Sequence, residues 1–286
     1  MYFKSVIALL ALALLAISWW QHEMPQQAVT PLDKTARHAR IDGVFAGQPR
    51  AVIDSPWHEI RVLGNQGFSI GYSDKRRNPL WVAYRSAPVR GRYDFPRPEG
   101  YEMDRRTAAA VEPRAFSGSG YQRGHMAPNY HISRLYGREA QLQTFLMSNI
   151  SPQKPHLNQK LWQRLEEVEI DRFARRLGEI WVVTGPIFEG HRERLRSGVE
   201  VPDAFYRIIL HEGGGGRLDV IAFIMPQDVK GTEPLDRYVV TVDEVETRTG
   251  LDFYHELADE FEDSLEASRP GSIWQLSKVS RLPPRY

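Results

Sequence analysis

The sequence predicts an α+β fold, with a mixed, largely antiparallel central sheet and flanking helices. Three observations carry this: short strand-like patches that follow one another as a meander, a helical period that sets in after Gln141, and apolar runs near residues 180, 205 and 218. The early patches are residues 51–53, 60–63, 68–72 and 80–85, interrupted by Gly64, Gly67 and Asn78-Pro79 rather than by crossover helices. Residues 86–120 carry Pro88, Pro96, Pro98 and Pro113 and read as a long irregular excursion. Residues 158–177 then set Leu161, Leu165, Val168 and Leu177 at helical intervals. Strands follow at 180–184, 205–210 and 218–225, the last two joined through Gly213 to Gly216. A second helix is expected over residues 249–268, from the apolar positions Leu251, Phe253, Tyr254, Leu257, Phe261 and Leu265. No internal repeat, heptad array, Walker-type sequence or dinucleotide-binding glycine pattern is present.

With 286 residues, 42% of them apolar and 26% charged, the chain can form one large core or two modest domains, and is not disordered or fibrous. Lys and Arg number 37 against 36 Asp and Glu, so any attraction for a polyanion has to be local. It is local: residues 75–123 hold 11 basic and 5 acidic side chains, and residues 243–266 hold 10 acidic and one basic. The acidic tract reads as a solvated face. The absence of cysteine removes disulfides, thiol nucleophiles, zinc fingers and iron–sulfur clusters, and leaves oxygen or imidazole as metal ligands.

Residues 5–20 are uncharged and apolar and follow Lys4, the pattern of a signal anchor or signal peptide. They predict membrane attachment and a body outside the cytoplasm, at the periplasmic face of a bacterial inner membrane, or periplasmic or secreted if the segment is cleaved. Residues 21–46 read as a tether and residues 47–286 as the folded domain.

The densest chemistry begins at Tyr121-Gln122-Arg123-Gly124-His125. A neutral His125 can take a proton from water, and Gly124 can supply backbone freedom that aims the ring into a cleft. Asn158, Trp162 and Glu166 are spaced four apart and share one broad helix face, where an amide oxygen and a carboxylate can hold a hard divalent cation. Alternatively, Asn158 is a helix cap. A zinc hydrolase is disfavoured, because the histidine nearest after His125 is His131, without close ligand spacing. His131, His156, His191 and His255 read as surface or hydrogen-bonded residues, and Trp162 as packing.

The stretches QRGHMAPN, NISPQ and LNQKLWQRLE, in that order, resemble the DNA/RNA non-specific endonuclease family, the sugar-nonspecific nucleases of the ββα-metal (His-Me finger) superfamily. Supporting segments, from Phe68-Ser-Ile-Gly-Tyr72 to ETRTGLDF, extend the likeness over roughly residues 50–270. The resemblance implies a ββα active-site element and Mg²⁺-dependent hydrolysis of DNA and RNA backbones with little sequence preference, leaving 5′-phosphates; Mn²⁺ can substitute. It implies His125 as general base and Asn158 as the direct metal ligand. Glu166 would act through water, Arg85 would stabilise the transition state, Asn149 would lie near the phosphate and His125, and Arg123 matches the catalytic-site Arg of the family's Asp-Arg-Gly-His sequence. Gln122 stands where the family has Asp, whose bond to the metal runs through water. That departure keeps a catalytically silent nucleic-acid-binding envelope protein open as an alternative, and a DNA-restricted nuclease of the same family is a second, to be decided by residues 86–120. A homodimer is compatible with the resemblance.

Overall fold

The computed structural model describes residues 43–89, 95–190 and 192–283. These residues belong to one compact unit, residues 38–286. Its strands are β1 (Arg50–Ala51), β2 (Arg61–Asn65), β3 (Phe68–Ser73), β4 (Asn78–Ser86), β5 (Gln122–His125), β6 (Ile150–Gln153), β7 (Ile180–Ile187), β8 (Ala204–Glu212), β9 (Leu218–Pro226), β10 (Val239–Val240) and β11 (Leu251–Asp252). Its helices are α1 (Asn129–Thr144), α2 (residues 155–177), α3 (Val242–Thr249), α4 (Asp259–Glu266) and α5 (Leu276–Val279). Seven strands form the central sheet in the order β10-β9-β8-β7-β4-β3-β2, and every pairing is antiparallel. The pairs β5–β6 and β1–β11 stand apart from it.

Because strand side chains alternate, the register sorts residues between two faces. Val82, Tyr84, Ile180, Val182, Phe205, Ile209, Ile221 and Phe223 share one core with Leu161, Trp162 and Leu165 of α2. The intervening residues point the other way: Tyr206 meets Phe253 with ring centroids 5.6 Å apart, and Trp181 meets Phe45 at 5.0 Å. Both faces are covered, which explains why β7, β8 and β9 read as near-continuous apolar runs.

Three elements differ from expectation. The helix expected over residues 249–268 is shortened to α4, because α3 ends at Thr249 with a left-handed cap at Gly250, φ 68°, and β11 intervenes before α4 begins at Asp259. Helix α1 was hidden by its polar composition and by Gly137, whose φ of 89° breaks it midway. Phe45, assigned to the tether, is buried and packs on Trp181 and Tyr254.

The expected membrane anchor is corrected as well. Among the described residues no helix is long and apolar enough to cross a membrane. Residues 5–20, which alone carried the expectation, lie outside the described residues. The signal anchor, the membrane as a partner and the periplasmic location therefore have no support and are withdrawn.

Candidate active site

A cleft of about 680 Å³ opens between β5, α2 and the irregular segment before β5. Gln122, Arg123 and His125 reach it from β5, Asn158 and Glu166 from α2, and Arg97 and Tyr101 from the irregular segment. Pairing of β5 with β6 sets Gly124 opposite Ser151. Gly124 is required for close approach rather than for unusual torsions: its φ is not positive, and a Cβ there would meet Gln153 Oε1 at 2.1 Å.

Pro155 opens α2, where a missing N–H removes no helical bond. Residues 157–162 and 169–174 are π-helical. Eight residues of pure α-helix would leave Asn158 and Glu166 offset by about 80°. A π turn takes up roughly one extra residue, about 100°, and brings the two nearly into line. Asn158 thus sits inside the helix and is not its cap. Its Nδ2 donates to Gln122 Oε1 at 2.8 Å, which spends the amide nitrogen and leaves the carbonyl oxygen as the available donor atom. Trp162 turns into the core, against Phe205 and 4.5 Å from the Arg207 guanidinium carbon.

The His125 ring is wedged between Phe145 and Tyr101, at centroid distances of 5.0 and 5.5 Å. Its Nε2 is buried without a hydrogen-bond partner, so the nitrogen left to meet the cleft is Nδ1. Burial, and then the positive charge of Arg97, lower its pKa to about 3, and the ring is neutral at working pH.

Of the expected residues, His125, Arg123, Gln122, Asn158 and Glu166 are brought together in the cleft. Arg85 is not. It lies on the opposite face of β4 from Tyr84 and pairs with Glu179 at 2.5 Å. Asn149 is fully buried and all its amide bonds are internal: Oδ1 accepts from Ala127 N at 2.9 Å, and Nδ2 donates to the carbonyls of Ala127 and Thr144. It braces the turn that follows His125. Arg123 donates to Pro113 O at 2.6 Å and lies over Tyr101. Arg97, which the sequence reading did not single out, lines the cleft, lies over Phe145 and donates to the Tyr101 hydroxyl.

Beneath Glu166 lies a buried ionic network. Arg207 of β8, fully buried, donates to Glu169 Oε2 at 2.9 Å and to Glu166 Oε1 at 3.3 Å. Glu169 also accepts from the Tyr84 hydroxyl at 2.9 Å and faces His131 Nδ1 at 3.1 Å, while His131 Nε2 meets Ser86 Oγ at 2.5 Å. His131 is therefore an interior residue. Burial raises the Glu166 pKa to about 7 against the opposing pull of Arg207, with Glu169 adding to the rise.

Asp243, Glu246 and Glu266 form a separate group capable of coordinating a divalent metal, each offering one oxygen within 4.8 Å of the others. None of the three lines the cleft.

The family model described as DNA/RNA non-specific endonuclease matches residues 54–260. Human mitochondrial endonuclease G is 30% identical over 211 residues, covering 68% of this chain and 69% of that protein. A nuclease of Serratia marcescens is 31% identical, covering 68% and 75%. A chain in the crystal structure of the EndoG/EndoGI complex superposes with a TM-score of 0.63 at 24% identity, covering 76% of this chain and 91% of that one, a likeness of fold. The ββα arrangement around His125 and Asn158, together with this match, makes the chain a member of the DNA/RNA non-specific endonuclease family, enzymes that act on phosphodiester bonds.

Proposed function

We propose that the cleft hydrolyses the backbones of DNA and RNA with His125 as general base and a divalent cation, Mg²⁺ or Mn²⁺, held by the Asn158 carbonyl oxygen. The observation that carries the reading is the placement of the His125 imidazole, its Nε2 buried and its Nδ1 left toward the cleft, across that cleft from an oxygen donor set. Those donors suit a hard cation: an amide oxygen already oriented by Gln122 and the Glu166 carboxylate, with no sulfur present.

His125 Nδ1 takes the proton from a water aligned for in-line attack on phosphorus. The aromatic walls of Tyr101 and Phe145 fix the ring plane and limit competing water. Arg97 and Arg123 supply donors for the non-bridging oxygens, where negative charge grows in the transition state. Glu166, tied from below by Arg207, would orient water beside a bound cation, and it accepts those hydrogen bonds best as a carboxylate. A divalent cation held by Asn158 would neutralise charge on the phosphate and stabilise the departing 3′-oxygen. The product is a 5′-phosphate. Contacts to the backbone rather than to base edges account for weak sequence preference.

The test is His125→Ala. Single-turnover cleavage falls by at least about 10²-fold while affinity for an uncleaved duplex stays within about twofold; normal turnover in this variant would remove the general base.

A further inference from the structure

Most acidic side chains of residues 243–266 face solvent, as the composition suggests, but one of them, Glu266, is buried. Asp243 and Glu246 stand one helical turn apart on one side of α3, and Glu266 is the last residue of α4. Asp243 is exposed, Glu246 half-buried and Glu266 buried. Glu266 is 5% exposed, and its Oε1 is sealed from solvent with no hydrogen-bond partner. It also lies at the C-terminal end of its helix, where the dipole disfavours an anion. Among the described residues no salt bridge joins a basic side chain to any of the three; Arg50 pairs with Asp252 at 2.7 Å and Arg248 of α3 with Glu189 at 2.7 Å. Burial and mutual repulsion push Glu246 up to about 7 and Glu266 up to about 9. An orphaned buried carboxylate beside two more is a costly arrangement without a positive partner.

We propose that Asp243, Glu246 and Glu266 bind a hard divalent cation of calcium size that clamps α3 to α4 on the sheet face opposite the cleft. Three oxygens within 4.8 Å of one another lie within about 2.8 Å of a common point, close to the 2.3–2.6 Å of calcium–oxygen bonds. Magnesium, at 2.0–2.1 Å and demanding near-octahedral geometry, would require the helices to close further. The opening at Asp243 gives the ion a path and leaves room for waters to complete its coordination. Glu246 is positioned by a second tie, its Oε1 accepting from Phe253 N at 2.8 Å, so the ion would also stiffen the turn that carries Phe253 under Tyr206. The site is structural and independent of the cleft chemistry.

The experiment is thermal unfolding of the full chain carrying Asn158→Ala, which removes the direct ligand proposed for the cleft, in EDTA, in Ca²⁺ and in Mg²⁺. Calcium at a hundredfold excess over its Kd raises the midpoint by about 5–10 °C, and magnesium raises it less. Glu266→Gln and Asp243→Asn, added singly, each abolish the calcium response; Asp243 is exposed, so its replacement leaves the packed interior intact. No response to either ion would mean that the triad holds a proton instead, and a response that survives both substitutions would place the ion elsewhere; either result overturns the proposal without touching the reading of the cleft.

Discussion

Replacing Arg207 with Met separates the support of Glu166 from its chemistry. The guanidinium is the formal counter-charge of two carboxylates, and both it and Glu169 have fully buried side chains. Met fills similar volume without charge and leaves Glu169 with the Tyr84 hydroxyl and His131 as its remaining partners. Breaking a buried pair from one side costs about 3–5 kcal/mol. At roughly 2–4 °C per kcal/mol for a domain of this size, the midpoint falls by about 6–20 °C. The second consequence is electrostatic. Glu166 stands at about 7 with Arg207 holding it down, so the variant moves it higher. A carboxylate whose folded pKa exceeds its unfolded value of about 4.5 contributes stability below pH 4.5 that is lost as pH rises through the folded value. In Arg207→Met that loss is larger and extends further into the alkaline range, and the acid limb of the pH–rate profile moves upward by a unit or so. Urea unfolding between pH 5 and 9, with single-turnover cleavage over the same range, reads both. Adding Glu169→Gln recovers much of the stability, since it removes the stranded charge. Stability within about 1 kcal/mol of the parent together with an unmoved acid limb would refute the positioning role.

Arg97→Ala lowers the cleavage rate by about 10²–10³-fold, as for loss of a transition-state donor, while Arg85→Ala leaves it within about twofold; the reverse order would show that the cleft arginine has been misassigned. Gln122→Asp keeps the bond to Asn158, adds a negative charge beside the cation and lowers the Mg²⁺ needed for half-maximal rate about tenfold; an unchanged or weaker metal dependence would contradict this account of Gln122. In EDTA the fold loses stability from about pH 5 to pH 9 as Glu246 and Glu266 ionise near Asp243, Asp252 and Glu262. Their folded pKa values are raised, so the contribution is present at low pH and lost through about 7 and about 9, and Glu266→Gln flattens that slope. An equal slope in the variant would place its origin elsewhere.

The central strands were legible because β8 and β9 are apolar on both faces, and their bounds shift by only a few residues from the runs that announced them. The cleft was legible where its residues are close in sequence, in β5 and along α2. The π turns that align Asn158 with Glu166 have no composition of their own and were not foreseen. Arg85 was misplaced although strand alternation argued against it: Tyr84 faces α2, so its neighbour cannot. Arg97 was invisible because the proline-rich segment around it has no period, and only tertiary packing brings it over Phe145. The buried Arg207 has no local signal either, since a single charge inside an apolar strand does not declare its partners. Gly250 was a readable stop, but the apolar positions beyond it kept a helical rhythm that masked it.

The central claim is a metal-dependent phosphodiesterase with a neutral histidine base. It is tested most directly by incubating the full chain with closed circular DNA and with a structured RNA, in Mg²⁺ and in EDTA, beside the His125→Ala chain. Nicking of both substrates in Mg²⁺ alone, ending in 5′-phosphates and lost in the variant, is the predicted result. Cleavage that persists in EDTA or in the His125→Ala chain, or no cleavage of either substrate in Mg²⁺ or Mn²⁺, would contradict it.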